Sequence, residues 1–385
     1  MAKWQRDKGK TRRRVAKKSL LDRFYYSVTL PLCPSALLSC ARPWPELFAC
    51  WAGLVCLAAL ITRTMLQRIR IMDLPNQRSS HAQPRPKSGG VAIVATFVAG
   101  LLLLALFGHA AMISTRYFLG FVASALAIAA ISLYDDMHGK SFTMKLMTQS
   151  GAALLVMTFG LVIDQLAMPW FGMVALGGLA YPITFLWLVG LTNAFNFMDG
   201  LDGLAGGVAL IAGLAFAFIT LDQGSTFIHL VSWILVAGVL GFMIFNFPPA
   251  RIFMGDVGSA FLGFVFATMA IIAARYDQSH TSFLVMPLLL FNFIFDTTFT
   301  LARRLLAGQR LTEAHRDHLY QRFNQLGYSH RTVSLVHYGM GLGQGIGAYV
   351  MVHISGSERL FVFLPFLGMQ IAYAVWVMRK FQASR

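Results

Sequence analysis

The stretch 230-LVSWILVAGVLGFMIF-245 contains no charged residue and a single hydroxyl. Extended to 227–246, it matches the ~20 apolar residues that a helix needs to cross the hydrocarbon core of a bilayer. Similar runs recur along the chain, among them those containing Leu101–Phe107 and Ala123–Ser132. The pattern predicts spans near 47–67, 89–108, 114–134, 143–163, 172–191, 204–221, 227–246, 257–274, 282–301, 333–354 and 359–379. The fold class is therefore all-α: a polytopic transmembrane helix bundle of about 11 spans, within a range of 10–12. Composition agrees, with 57% hydrophobic and 12% charged residues, against about 25% charged in soluble domains. This excludes a large soluble core.

The net charge of +16 does not imply a nucleic-acid partner. Ten of the 32 basic residues lie in Met1–Arg23, and most others fall in short loops. Loops at 63–88, 135–145, 192–203, 246–256 and 302–332, with the tail after Met378, carry 18 Lys and Arg. The alternate loops and their margins carry three, Arg116, Arg275 and Arg359. By the positive-inside rule the first set is cytoplasmic. Eleven spans ending inside would leave the basic N-terminus outside, against that rule. Phe24–Ser39 resolves this if it crosses as an additional segment; a cleaved signal peptide and a non-membrane extension are the other readings. The chain accordingly divides into a basic extension, 1–45, and a multi-span domain, 46–385. Cys33, Cys40, Cys50 and Cys56 form no CxxC pair and read as small apolar residues.

The acids are sparse and uneven. Of 16 Asp and Glu, Asp73, Asp135, Asp136, Asp199, Asp202 and Asp256 fall on or beside the cytoplasmic loops. Adjacent carboxylates such as Asp135-Asp136 raise each other's pKa unless a cation or donor intervenes, so they suit a divalent metal or proton transfer, or else cap the following helix. Residues 193–206, NAFNFMDGLDGLAG, hold two Asn and two Asp between apolar spans. On a helical path Asn196 and Asp199 share a face, and such oxygen ligands suit magnesium, which keeps waters and prefers one or two carboxylates plus substrate phosphates. The DGxDG string lacks the glutamate that closes an EF-hand. Gly255-Asp256-Val257-Gly258-Ser259 opens another span, where free N–H groups can meet phosphate and Asp256 can hold a metal or simply cap.

The long loop contains His315-Arg316-Asp317-His318, with both histidines expected on one side of a short helix. No further ligands accompany them, so a phosphate or uridine contact is expected rather than zinc. In the loop Asp73–Gly90, Arg78, His81, Arg85 and Lys87 are phosphate candidates or positive-inside anchors. Asp296, inside a span, is a functional candidate by default, or a partner of Arg303 or Arg304. His109, His229, His280 and His353 read as structural or interfacial.

DLPNQRSSH…PKSGG, LYDDMHGKS, NAFNFMDGLDGLAGG, FMGDVGSAFLGF and RRLLAGQRLTEAHRDHLYQR follow one another from about Asp73 to Tyr338. In this order they resemble the polyprenyl-phosphate N-acetylhexosamine-1-phosphate transferases, a glycosyltransferase-4-like family that includes the phospho-MurNAc-pentapeptide translocases. The resemblance implies a bacterial cytoplasmic-membrane enzyme, a UDP-amino-sugar donor, an undecaprenyl phosphate acceptor and magnesium, with manganese as a substitute. It implies catalytic roles for Asp135, Asp136, Asp199 and Asp202. It implies a metal site of Asn196, Asp199 and Asp256, and substrate contacts from Asn193, Asn196, Arg78, His81, Lys87, His315, Arg316 and His318. The family's histidine motif is usually richer in histidine.

The expected reaction is attack of polyprenyl phosphate on the β-phosphate, releasing UMP and starting O-antigen or another envelope polysaccharide. An aspartyl-phosphate intermediate is the rival route. The partners expected are donor, acceptor and bilayer, with a homodimer compatible and no nucleic acid. A secondary transporter would instead place acids near the midplane and show repeated halves. A lipid-binding scaffold would not need these carboxylates.

Overall fold

The computed structural model describes residues 43–68, 71–73, 84–108, 113–139, 142–168, 170–310 and 315–384. Residues 1–42, including Phe24–Ser39, and also Arg78, His81 and His109, lie outside the described residues. The chain divides into two units, Met1–Cys50 and Trp51–Arg385. The described part of the first is helical; the second carries the bundle.

Among the described residues the bundle is helical apart from two short antiparallel strand pairs. Its elements are α1 (Pro43–Arg68), β1 (Met72–Asp73), β2 (Arg85–Pro86), α2 (Gly90–Phe107), α3 (Thr115–His138), α4 (Phe142–Thr158), β3 (Gln165–Met168) and β4 (Gly172–Ala175). There follow α5 (Ala180–Phe197), α6 (Leu204–Asp222), α7 (Ile228–Asn246), α8 (Asp256–Arg275), α9 (Val285–Leu289) and α10 (Phe291–Leu306). The chain closes with α11 (Leu319–Gln325), α12 (His330–Val352) and α13 (Phe363–Ala383). Two 3-10 turns, Gly177–Leu179 and Gly356–Val362, lead into α5 and α13.

Among the described residues eight helices are long and apolar enough to cross a membrane. Three of the eleven expected spans depart from that standard. α4 stops at Thr158 after 17 residues, because Gly160 turns the chain at φ +93°. The β3–β4 hairpin then occupies 165–175, so the next span runs over Gly177–Phe197 rather than from 172. The span expected at 282–301 is interrupted at Leu290 and continues as α10 to Leu306. α12 has the expected length but carries His330, Arg331, His337 and Gln344, which lower its hydropathy.

α8 lies at the centre, buried continuously from Val257 to Ala273, against α5, α3 and α2. α6 packs on α7 and α12. Lipid tails are as apolar as Leu, so helices in a bilayer associate through close packing, often at small residues. At the start of α2 and α8 this is direct: a Cβ on Gly90 would sit 2.4 Å from the Gly258 Cα. The preceding strand is drawn in too, with Gly89 and Gly90 N–H donating to Phe253 and Met254 and Phe253 N–H donating to Pro86. The starts of α2 and α8 and the end of α3 thus share one end of the bundle.

Candidate active site

α3 ends at a left-handed glycine, Gly139, whose N–H donates to the Asp135 carbonyl. This αL stop fixes Asp135 and Asp136 in the last turn of the helix. Asp136 accepts hydrogen bonds from the backbone N–H of Asp256 at 3.2 Å and of Val257 at 3.0 Å. It therefore caps α8, 120 residues away, and not the helix that follows it, where its charge meets the positive helix end. Gly255 permits the approach: its φ is +74°, and a Cβ there would meet Asp136 Oδ2 at 2.7 Å. Lys87 Nζ stands 3.6 Å from Asp136 Oδ1.

Lys145, in the first turn of α4, bridges the next two acids. Its Nζ lies 2.9 Å from Asp135 Oδ2 and also hydrogen-bonds Asp256 Oδ2. Asn196 Nδ2 donates to Asp256 Oδ1 at 2.9 Å and to Ser259 Oγ at 2.8 Å. Asn193 donates to Gln149 Oε1 at 2.5 Å. A small cavity of about 20 Å³ lies among Asp135, Lys145, Gln149, Asn196 and Asp256. Sequence reasoning missed Lys145 and Gln149. Their available signal was position, since both fall in the first two turns of the helix that follows the Asp pair.

Asp199 and Asp202 diverge in surroundings. The half-buried Asp199 carboxylate has no hydrogen bond or ion pair with any described residue. Burial first, then the charges of Asp256, Asp136 and Asp73, push its pKa up to about 8. Asp202 is fully engaged, by Arg85 Nη1 at 3.2 Å, His330 Nδ1 at 3.2 Å and Ala250 N–H at 3.0 Å. Burial alone would raise it, but the His330 and Ala250 hydrogen bonds and the neighbouring charges hold it below its ordinary value. Asp202 thus ties its own loop before α6 to β2, to the loop before α8 and to the first residue of α12. Arg85, weighed as a phosphate contact, is spent on it.

The His315–His318 segment is not helical, contrary to expectation; it leads into α11. His318 is buried, with Nδ1 3.2 Å from Asp296 Oδ1. Asp296 also accepts from the N–H groups of Leu319 at 2.9 Å and Tyr320 at 3.0 Å. Asp296 therefore caps α11 rather than pairing with Arg303 or Arg304, which turn to Asp317 with Arg322. His315 is half-buried beside His318, ring centroids 5.1 Å apart. Burial, and then the neighbouring His318 and Arg304 charges, lower its pKa to about 4, so it is neutral at neutral pH. Tyr320 OH donates to the Phe197 carbonyl at 2.9 Å, tying this segment to the Asn196–Asp199 turn. Arg316 is half-buried in the same segment.

Among the described residues no three Asp, Glu, His or Cys side chains converge as a ready-made metal cage. Asp199, unpaired among the described residues and in the field of three other carboxylates, is the group most in need of a cation. Together with Asn196 and Asp256 it suits a hard ion that takes one or two carboxylates and completes its shell with water and phosphate oxygens.

A family profile described as Glycosyl transferase family 4 matches residues 118–274, the segment holding Asp135, Asp136, Asn196, Asp199 and Asp256. A "Probable undecaprenyl-phosphate N-acetylglucosaminyl 1-phosphate transferase" of Bacillus subtilis is 34% identical over 322 residues, 82% of this chain and 88% of the relative. This chain belongs to glycosyl transferase family 4. A decaprenyl-phosphate N-acetylglucosaminephosphotransferase of Mycobacterium tuberculosis is 31% identical over 313 residues, covering 73% of this chain and 77% of that one. A phospho-N-acetylmuramoyl-pentapeptide-transferase of Lactobacillus johnsonii is 31% identical over 282 residues, covering 70% and 85%. This family 4 member is thus a multi-pass membrane protein with Asp135, Asp136 and Asp256 gathered at one end of the bundle.

Proposed function

We propose that this family 4 transferase moves an N-acetylhexosamine 1-phosphate from a UDP-sugar to undecaprenyl phosphate, releasing UMP at the cytoplasmic face of a bacterial inner membrane. The observation that carries the reading is the gathering of Asp135, Asp136, Asn196, Asp199 and Asp256 with Lys145 and Lys87 at one end of a membrane bundle. A lipid-borne phosphate and a soluble nucleotide sugar meet at such a level. The relatives named above support polyprenyl phosphate as acceptor and N-acetylglucosamine 1-phosphate as the first donor group to test. The start of O-antigen or another envelope polysaccharide is the corresponding pathway step.

Magnesium, held by Asp199 with Asn196 and Asp256, would neutralise charge on the diphosphate and on the departing UMP. The remaining work falls to the chain. Lys87 and Lys145 offset the carboxylates' repulsion of phosphate. A non-bridging oxygen of the polyprenyl phosphate bonds the β-phosphorus while the bond to the bridging oxygen breaks, and UMP leaves with that electron pair. Asp136 is committed to the start of α8. Of the pair, we assign to Asp135 the acceptor's proton when the phosphate arrives protonated.

The test is UMP release by purified protein supplied with undecaprenyl phosphate, magnesium and a panel of UDP-N-acetylhexosamines. Activity is expected only with both substrates and metal. Asp199→Asn and Asp256→Asn should lower it about a hundredfold or more. No UMP from folded, lipid-replete protein across the panel would refute the reading. A labelled phospho-sugar trapped on the protein without lipid would replace direct attack by the covalent route.

A further inference from the structure

The far end of the bundle holds a cavity that the carboxylate site does not use. α8 runs from Asp256 to Arg275 over 20 residues, about 30 Å at ~1.5 Å per residue, the thickness of the bilayer hydrocarbon. Beside Arg275 lies a cavity of about 220 Å³, whose lining includes Ile163, Asp164, Ile271, Arg275, His280 and Arg359. It falls below the roughly 300–1,000 Å³ of pockets that enclose drug-sized ligands, so it fits a headgroup rather than a nucleotide sugar.

Its charges are unequally matched. Arg275 Nε pairs with Asp164 Oδ2 at 3.1 Å. Arg359, in the turn before α13, has a buried Nε without a partner and no hydrogen bond or ion pair with any described residue. A guanidinium stays charged at every accessible pH, and half-buried Arg359 gives up part of its hydration with no anion among the described residues to replace it. The surroundings of this cation have the aromatic composition of a membrane surface. The β3–β4 hairpin lining the cavity turns Trp170 and Phe171 outward, 84% and 80% exposed, as aromatic residues do at the membrane–water interface. Trp170 also meets Phe361 of the Arg359 turn, ring centroids 5.8 Å apart.

We propose that this cavity binds the phosphate of an anionic phospholipid, with Arg359 as its principal ligand and Arg275 shared between the phosphate and Asp164. Native mass spectrometry of the full chain in detergent, with phosphatidylglycerol, phosphatidylcholine or inorganic phosphate added, tests it. Phosphatidylglycerol should be retained over phosphatidylcholine. Arg359→Gln should cut that retention at least about tenfold, the scale of a lost charged hydrogen bond, and Arg275→Gln should act in the same direction if Arg359→Gln fails to fold. Arg379→Gln, an exposed cation near the end of α13, should leave it unchanged. Equal retention by wild type and a folded Arg359→Gln, or no preference over phosphatidylcholine, would overturn the site. Inorganic phosphate held instead of lipid, with the same Arg359 dependence, would overturn the lipid assignment in favour of a soluble anion.

Discussion

Asp199 is the residue on which the site's charge balance turns. Its carboxyl is pushed up to about 8, above the ordinary 3.8, so the unfolded chain releases this proton first. The stability that goes with the protonated form is complete below the ordinary value and is lost as pH rises through the folded one. With divalent ions chelated, thermal stability should therefore decline as pH rises from about 4 toward 8. Asp199→Asn should abolish that part of the decline and melt higher than wild type at pH 8, with the difference gone at pH 4. Magnesium added at pH 8 should stabilise wild type more than the variant; melting curves read both. At this scale the sequence was informative: Asp135, Asp136, Asn196 and Asp256 meet as their local motifs suggested. What it hid was division of labour. Nothing local distinguishes Asp199, without a side-chain partner among the described residues, from Asp202, held by Arg85 and His330 across 117 and 128 residues.

Elements meet here through carboxylates placed on the ends of other helices. Asp136 caps α8, Asp296 caps α11, and Asp277 accepts from Phe227 and Ile228 at the start of α7 at 3.3 Å. Gly255→Ala would drive a methyl group toward Asp136 and impose an L side chain on a positive φ. It should destabilise the protein by more than about 1 kcal/mol and reduce UMP release with it, whereas Gly151→Ala, open around its Cβ, should do neither. Asp317 joins α10 and α11 through Arg303, Arg304 and Arg322. Burial opposes its charge, but the Arg322 and Arg304 hydrogen bonds hold its pKa at about 2. Asp317→Asn should cost about 2 kcal/mol at neutral pH. That contribution is full above the ordinary 3.8 and is lost as pH falls toward 2, so the two melting curves should converge on acidification. The histidine motif was legible as polar and basic, but its fold was not. His318 closes on Asp296, 22 residues back, and the helix begins only after it.

The whole molecule has two unlike ends, and that polarity was the clearest message of the sequence. Hydropathy located eleven segments and the basic loops divided them into two sets. It could not show that α4 stops short, that Leu290 interrupts a span, or that the chain between α4 and α5 forms a hairpin, because these depend on turns whose apolar neighbours look like more membrane helix. The geometry makes the polarity testable. Gln325, at the end of α11, lies with the carboxylate end, and Phe171 lies on the β3–β4 hairpin with Arg275 and Asp164. In a chain with Cys33, Cys40, Cys50 and Cys56 replaced by serine, Phe171→Cys should react with a membrane-impermeant maleimide in intact cells. Gln325→Cys should react only in inverted membranes or after permeabilisation. The reverse pattern would put the carboxylates outside, where no UDP-sugar is made, and would refute the proposed reaction as well as the orientation. Both cysteines labelling from one side would contradict the span count, since α4 and α8, which run between the two ends, would then not cross.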